Sequence, residues 1–186
     1  NIYIILYYIN CNINCNIKYS EATIEITMES NPGTLTLKNL EGYRRIGINR
    51  LSMGLQSTLD IELERLGRIH TWQVFCENFR AARQAGFSNI NVDMMFALPG
   101  QEVTHWQDSL RKVAEMAPEH LSAYSLSIEE GTPFYERYGE ERKPRFFSGS
   151  LWPPLPTEEQ ERQMYRATSA ILREYGYHRY EISNYA

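Results

Sequence analysis

The sequence contains few cysteines, and this narrows the class of protein. Its 186 residues include only Cys11, Cys15 and Cys76. An odd and sparse set argues against the disulfide-rich scaffold of a small secreted protein and favours a reducing compartment. We therefore expect a cytoplasmic protein, and the chain is long enough to form one domain with a substantial core.

Long apolar runs and an excess of positive charge are also missing. No apolar run reaches the ~20 residues that a membrane-spanning helix needs. Residues 2 to 9 lack the basic flank and the small-residue cleavage site of a signal peptide. The formal net charge of -4 gives no reason to expect nucleic acid or an anionic membrane as a partner. The sequence predicts neither an integral membrane protein nor a nucleic-acid-binding protein.

Common catalytic and metal-binding motifs are absent as well. The chain has no phosphate-binding Gly-x-x-x-x-Gly-Lys loop, no nucleophile elbow and no metalloprotease motif. Its histidines are scattered without the spacing of metal ligands, so each is expected to be an ordinary surface or core residue. The tyrosines near the carboxyl end are expected to pack in the core and against helices; they are Tyr165, Tyr175, Tyr177, Tyr180 and Tyr185.

The first residues differ in composition from all that follow. Residues 1 to 20 contain no Gly, Pro, Ala, Asp or Glu, which marks a biased segment. Within it, Cys11-x-x-x-Cys15-x-x-Lys18 looks like an iron–sulfur cluster loop whose third cysteine is replaced by Lys18. A cube that leaves one iron open for substrate needs three thiolates, so chance in a biased segment is the better explanation. We expect residues 1 to 22 to be a leader and residues 23 to 186 to form the folded core.

The stretch SNINVDMMFALPGQ, from residue 88 to 101, shows the repeating unit of that core. Ile90, Val92, Met94 and Phe96 alternate with polar or mixed residues that include Asp93, which is typical of a strand with two different faces. The Leu-Pro-Gly that follows ends the strand, and a helical pattern begins directly after it.

The same strand–loop–helix plan recurs along the chain. The patterns predict strands at about residues 24–29, 49–56, 89–96, 120–128 and 177–185, and helices at about residues 36–46, 59–66, 71–85, 103–116 and 157–175. A helical turn is expected at 134–138, and an excursion loop at 140–156. Alternating strands and helices imply right-handed crossovers and a parallel sheet. Because several strands keep one polar face, a curved or barrel sheet around a polar cavity is predicted, with ligands at the carboxyl ends of the strands.

Four polar residues near those strand ends are the candidate site. Glu29 could hold an amino group or ribose of a ligand, or it could cap the following loop. Gln56 suits a ligand amide or hydroxyl, or a loop hydrogen bond. Asp93 needs a partner if it is buried, which could be a ligand diol or Arg68, and a purely structural Asp–Arg pair remains open. Arg68 offers a planar fork to a carboxylate, or it is a solvated surface residue.

Six ordered segments resemble the radical S-adenosylmethionine (SAM) proteins of the oxygen-independent coproporphyrinogen III oxidase family, and in particular its HemW branch of haem chaperones. The segments are ITMESNPGT, GINRLSMGLQS, LGRIHT, AGFSNINVDMMFALPGQ, HLSAYSLSIEEGTPF and YEISNYA, from residues 26, 47, 66, 85, 120 and 180. The resemblance implies an α/β fold, a partial (β/α)₆ TIM-like barrel. It also implies that Glu29, Gln56, Arg68 and Asp93 hold SAM.

The resemblance further implies a [4Fe–4S] cluster in the intact family protein, bound by a three-cysteine loop that this chain does not match. The chain is therefore expected to be an interior fragment, without the family's first strand, cluster loop and carboxyl-terminal domain, and without a cluster of its own. Haem or porphyrinogen, and client proteins that accept haem, are the implied partners. Three functions stay open: a haem chaperone, an oxidase that decarboxylates propionate side chains of coproporphyrinogen III, and a non-catalytic barrel fragment.

Overall fold

The computed structural model describes residues 4–6, 25–139 and 152–186. The strands are β1 (Ile4–Leu6), β2 (Ile26–Ser30), β3 (Arg50–Gln56), β4 (Ile90–Phe96), β5 (His120–Ser125) and β6 (Asn184–Tyr185). The helices are α1 (Leu37–Arg45), α2 (Asp60–Arg65), α3 (Trp72–Gln84), α4 (Val103–Ala114), α5 (Pro133–Tyr138) and α6 (Glu158–Glu174). The predicted alternation of strands and helices between residues 26 and 125 is confirmed.

The strands form one sheet in the order β1-β2-β3-β4-β5-β6. Strands β2 to β5 are parallel, as the alternating plan predicts, and their carboxyl ends meet at one edge. Both outer strands are antiparallel to their neighbours, β1 to β2 and β6 to β5. Three residues of the biased segment, Ile4–Leu6, thus lie in the sheet, whereas Cys11 and Cys15 fall outside the described residues.

The two faces of the sheet have different roles, as the alternation indicates. The apolar side chains of β3 and β4, including Leu51, Met53, Ile90 and Met94, are fully buried under the helices. Trp106 of α4 anchors this layer, because its indole nitrogen donates to the hydroxyl of Thr168 in α6 at 2.9 Å. The other face of the sheet carries the polar side chains of these strands and is not covered by these helices.

The carboxyl end departs from the prediction of a strand over residues 177–185. The chain turns back on itself there, since His178 exchanges both backbone hydrogen bonds with Ala186 and Arg179 pairs with Tyr185. Only β6 joins the sheet. As a result Tyr177 and Tyr185 are buried, but Tyr180 at the turn is 65% exposed. The expectation of core tyrosines is therefore confirmed for Tyr177 and Tyr185 and wrong for Tyr180, and Tyr165 and Tyr175 on α6 and at its end are also exposed, at 37% and 38%.

Threonine caps begin three helices at the predicted positions. Thr36 accepts from the backbone N–H of Asn39, and Thr71 from that of Val74. Thr157 forms a full capping box with Gln160, in which each side chain accepts from the other's backbone N–H. Within the described residues, no helix is both long and apolar enough to cross a membrane.

The excursion loop is described only from residue 152 onward. Its visible part lies against the turn after β4, where the N–H of Gly100 donates to the carbonyl of Pro154 at 2.8 Å. A Cβ on Gly100 would lie 2.4 Å from Pro153 Cγ, so only glycine permits this close approach.

A change in stability is expected in the turn between α4 and β5. Ala117, three residues after the end of α4, has φ 51°, whereas the residues with positive φ that closely follow α1, α3 and α6 are glycines, Gly47, Gly86 and Gly176. Because a Cβ is unfavourable in this conformation, we expect Ala117→Gly to stabilise the fold by about 1 kcal/mol. Gly176→Ala, where a Cβ meets nothing within 4 Å, should destabilise it by a similar amount. Urea unfolding measures both; equal midpoints would contradict the expectation.

Candidate functional site

A polar cavity of about 570 Å³ opens at the carboxyl ends of β2, β3 and β4. It is lined by residues from these strands, from β5 and from the loops after β2 and α2, namely Glu29, Ser30, Asn31, Ser52, Gly54, Gln56, Arg68, Asp93 and Tyr124. The structure therefore brings all four residues of the predicted site together in one cavity. Strand alternation explains the positions of Glu29, Gln56 and Asp93, because the polar faces of neighbouring parallel strands point to the same side of the sheet. Arg68 comes instead from the loop after α2.

The Asp93 carboxylate accepts hydrogen bonds from two neighbouring side chains on the same face of the sheet. The hydroxyl of Ser52 donates to Oδ2 at 3.0 Å, and the amide nitrogen of Asn91 donates to Oδ1 at 2.8 Å. Of the ion pairs among described residues, none includes Asp93. The alternative that Asp93 forms a structural ion pair with an arginine is therefore wrong. Each carboxylate oxygen keeps acceptor capacity for a ligand.

Gln56 ends β3 in a backbone conformation that is rare for a side-chain-bearing residue, with φ 73°. Its side chain is buried, and Oε1 accepts from the hydroxyl of Tyr124 at 3.1 Å. Burial, and then the nearby Asp93 carboxylate, raise the pKa of Tyr124, so this hydroxyl stays a neutral donor. With Oε1 engaged by Tyr124, the amide N–H₂ of Gln56 is the end left for a ligand acceptor.

Glu29 and Arg68 lie at the open rim. Glu29 is exposed, and its carboxylate forms no hydrogen bond to any described residue, so it does not cap the loop that follows β2. Arg68 is half-buried and donates to Oδ1 of Asn31 at 2.9 Å, which leaves most of its N–H donors open to a ligand. The charged groups of the lining are the two carboxylates, Glu29 and Asp93, and this guanidinium, which give a net single negative charge.

Five lining residues were not in the site predicted from the sequence: Ser30, Asn31, Ser52, Gly54 and Tyr124. Ser52 and Gly54 precede Gln56 at even spacing in β3, so the alternation that selected Gln56 also placed them on its face. Tyr124 stands on the polar face of β5 in the same way. The signal was present, but a hydroxyl or a glycine on a polar strand face is common and does not by itself indicate a ligand.

A buried polar cluster lies behind the cavity. Glu62 of α2 is only 2% exposed and accepts from the hydroxyl of Ser57 at 2.5 Å and from the amide nitrogen of Gln101 at 3.0 Å. Gln101 in turn accepts from the backbone N–H of Leu98. Glu62 therefore fastens the turn after Gln56 to the turn after β4, the two turns that follow the site strands.

Comparisons with known proteins show the family of the chain. A sequence model described as the radical SAM superfamily matches residues 3–113 of the chain, which is more than half of it. The chain belongs to the radical SAM superfamily. Its curated relatives include the haem chaperone HemW of Bacillus subtilis, 37% identical over 91% of the chain and 42% of that protein. HemW of Escherichia coli is 37% identical over 89% of the chain and 40% of that protein.

A mitochondrial relative and two solved structures extend the family likeness. The radical S-adenosyl methionine domain-containing protein 1 of Bos taurus is 35% identical over 89% of the chain and 35% of its own length. The structure of the Escherichia coli coproporphyrinogen III oxidase HemN, described as a radical SAM enzyme, matches with a TM-score of 0.72 and 26% identity, over 88% of the chain and 35% of HemN. Methanocaldococcus infernus Elp3 shares the fold, with a TM-score of 0.63 and 17% identity, over 79% of the chain and 33% of Elp3. The chain spans about two fifths of the HemW proteins that it matches.

The cavity fits SAM, the cofactor that the family name implies. SAM carries a sulfonium, an ammonium and a carboxylate, a net single positive charge that complements the cavity's net negative one. Its ribose hydroxyls suit the free acceptor capacity of Asp93, and its carboxylate suits the guanidinium of Arg68. The described residues do not fit an iron–sulfur cluster, because their only cysteine is the buried Cys76 and they contain no metal-binding group of three His, Cys, Asp or Glu.

Adding a methyl group at Gly54 is expected to lower SAM affinity about tenfold. A Cβ there would lie 3.2 Å from Nε2 of Gln56 and 3.5 Å from Oδ1 of Asn31, so it would take space inside the cavity and press on a ligand group. Gly42→Ala in α1 adds the same methyl where nothing lies within 4 Å and is the matched control. Calorimetric titration with SAM measures both variants, and equal affinities would contradict the expectation.

Two histidines are expected to make stability depend on pH. Burial is the largest influence that lowers the pKa of His70 and of His120 below the ordinary 6.5. The unfolded chain then binds more protons than the folded one below about pH 6.5, so stability is fully present above that pH and falls as the pH drops toward 5. We expect a loss of about 1 kcal/mol or less per histidine. Urea midpoints at several pH values measure it.

The matched variant for this test is His70→Gln combined with His120→Asn. These amides keep a donor near His70 Nε2, which lies 3.2 Å from the carbonyl of Leu55, and near His120 Nδ1, but they do not titrate. The double variant should lose the decline in stability between pH 7 and pH 5.5. If stability declines equally in the double variant, groups other than His70 and His120 cause the pH dependence.

Proposed function

We propose that this chain is the cofactor-binding barrel core of a HemW-type haem chaperone, and that its cavity binds SAM through Glu29, Gln56, Arg68 and Asp93. The observation that carries the proposal is their convergence in one cavity of complementary charge. The HemW relatives, at 37% identity, support the chaperone reading. A cytoplasmic location and client proteins that accept haem are part of the proposal.

In this proposal each residue has a binding role. Asp93 and Gln56 hold the ribose hydroxyls, with Asp93 as acceptor and the amide nitrogen of Gln56 as donor. Arg68 pairs with the carboxylate of the methionine end, and Glu29 accepts from its ammonium group. When bound beside a [4Fe–4S] cluster, SAM supplies radical chemistry to the family's reactions. The residues of this chain orient the cofactor.

Calorimetric titration of the chain with SAM tests the proposal. S-adenosylhomocysteine, which lacks the methyl group and the sulfonium charge, and methionine alone are the comparison ligands. SAM should bind more tightly than S-adenosylhomocysteine, because the cavity carries a net negative charge. The absence of SAM affinity would sink the proposal and favour a non-catalytic barrel fragment.

The likeness to HemN keeps one alternative open, an oxygen-independent coproporphyrinogen III oxidase. This function predicts anaerobic decarboxylation of coproporphyrinogen III by a protein that contains this barrel together with a three-cysteine loop, when it is supplied with cluster and SAM. The chaperone predicts haem binding, seen as a change in the Soret absorption, without decarboxylation. Measuring both with the same preparation separates the two functions.

A further inference from the structure

A chain of hydrogen bonds runs from Asp93 away from the cavity toward the surface. Its central member is Asn91, which is only 3% exposed and lies one step before Asp93 on the same face of β4. The two amide hydrogens of Asn91 go to Asp93 Oδ1 and to the hydroxyl of Ser52, each at 2.8 Å. Its carbonyl oxygen lies 2.5 Å from Nδ1 of His120 and 3.2 Å from the hydroxyl of Ser122, whose single hydrogen has a nearer acceptor in Oδ1 of Asn184 at 3.0 Å. Both amide hydrogens of Asn91 are thereby used, and its carbonyl oxygen has His120 as its close partner.

The direction of each bond in this chain follows from the one before it. A carboxylate such as Asp93 only accepts, so the nitrogen of the Asn91 amide faces Asp93 and its oxygen faces His120. An amide oxygen also only accepts, so His120 must carry its proton on Nδ1. In the neutral ring Nε2 is then an acceptor, and the hydroxyl of Tyr180, 2.6 Å away, donates to it. All donors therefore point toward Asp93.

We propose that His120, held as the Nδ1–H tautomer, is a positioning residue that fixes the Asn91 amide and, through it, the direction of the Asp93 carboxylate. This inference rests on the proposed function only where it takes Asp93 to contact the ligand. A carboxylate with only one hydrogen-bonded oxygen can rotate about its Cβ–Cγ bond. In Asp93 both oxygens accept a hydrogen bond, one from Asn91 and one from Ser52, so this rotation is restricted. Its free acceptor directions are therefore fixed before a ligand arrives, which reduces the entropy cost of binding.

The surroundings of His120 support the neutral tautomer. The ring is half-buried, and burial together with the Arg50 guanidinium lowers its pKa, against the opposite influence of Asp93 and Glu25. Tyr180 is largely exposed, so it adds the outermost hydrogen bond without adding much buried surface. The strand register explains why these side chains form a row of hydrogen bonds. Ser52 of β3 pairs with Asn91 of β4, and Asn91 pairs with His120 of β5, so the three side chains are neighbours on one face of the sheet.

Two amide substitutions of His120 separate positioning from mere packing. Asparagine places an N–H₂ group near the original Nδ1 and can still donate to Asn91, whereas glutamine reaches the position of Nε2 and loses that bond. Both have similar size and polarity. We expect His120→Asn to keep SAM affinity within about threefold and His120→Gln to lower it by about tenfold. The control is His178→Gln, at an exposed histidine in the carboxyl-terminal segment that carries Tyr180.

The tautomer is read directly from the ¹⁵N shifts of the imidazole ring by NMR, without any ligand. His120 should show a protonated Nδ1 and an unprotonated Nε2 at pH 7.5, and Tyr180→Phe should preserve the protonated Nδ1. A protonated Nε2 in the unsubstituted chain, or equal losses of affinity in both His120 variants, overturns the inference. If SAM does not bind at all, the proposed function fails, and the tautomer alone then supports or overturns the hydrogen-bond chain.

Discussion

Replacing Asp93 with asparagine is expected to lower SAM affinity by about 10- to 100-fold, the largest effect on binding that the structure predicts. The change removes the only carboxylate that both lines the cavity and has its two oxygens anchored by neighbours. It keeps the shape of the side chain, and Ser52 can turn its hydroxyl to accept from the new amide. Stability should therefore change little. Calorimetry with SAM and urea unfolding of the same variant measure the two quantities.

The matched control for this prediction is Asp108→Asn. Asp108 lies on the outer surface of α4, where its side chain is 68% exposed and pairs with Arg111. The substitution removes the same charge far from the cavity, so SAM affinity should be unchanged at moderate salt. A similar loss of affinity in both variants would show that overall charge, and not the Asp93 contact, determines binding.

Truncating Glu62 to alanine is expected to destabilise the protein by about 2–4 kcal/mol. The substitution leaves the Ser57 hydroxyl and the Gln101 amide nitrogen buried without their acceptor. For a chain of this length the melting temperature should fall by roughly 5–15 °C. Thermal unfolding followed by circular dichroism measures it.

Glu62→Gln separates the acceptor from the charge. The amide oxygen of glutamine can still accept from Ser57 and Gln101, and the new amide nitrogen takes the place of Oε1, which has no partner among the described residues. We expect less than half of the loss seen with alanine. Equal losses in the two variants would mean that the carboxylate charge itself, and not the acceptor, stabilises the turns behind the cavity.

Most of the central fold could be predicted because its signals are local. The two-residue alternation in β3 and β4 distinguishes the buried face from the cavity face. Threonine caps and glycines in positive φ set the ends of several helices. The candidate site followed from the same patterns, since parallel strands bring the carboxyl ends of their polar faces to one edge.

The partners within the site could not be predicted. Arg68 follows α2, and whether it reaches Asp93 or Asn31 depends on how that loop is held against the sheet. The Asn91–His120 contact joins neighbouring strands. It forms only in the register that β4 and β5 adopt, which the sequence does not show. The carboxyl-terminal strand was overestimated for a related reason, because the alternation there does not show that the chain turns back at Tyr180.

The sequence by itself determined which residues face the cavity, because side-chain direction along a strand follows from the backbone geometry of consecutive residues. Only the tertiary structure decided which of these residues touch, since hydrogen bonds between strands depend on register and on the positions of loops far apart in the chain. Asp93 illustrates both: alternation alone placed it on the polar face, and packing gave it Ser52 and Asn91 as partners.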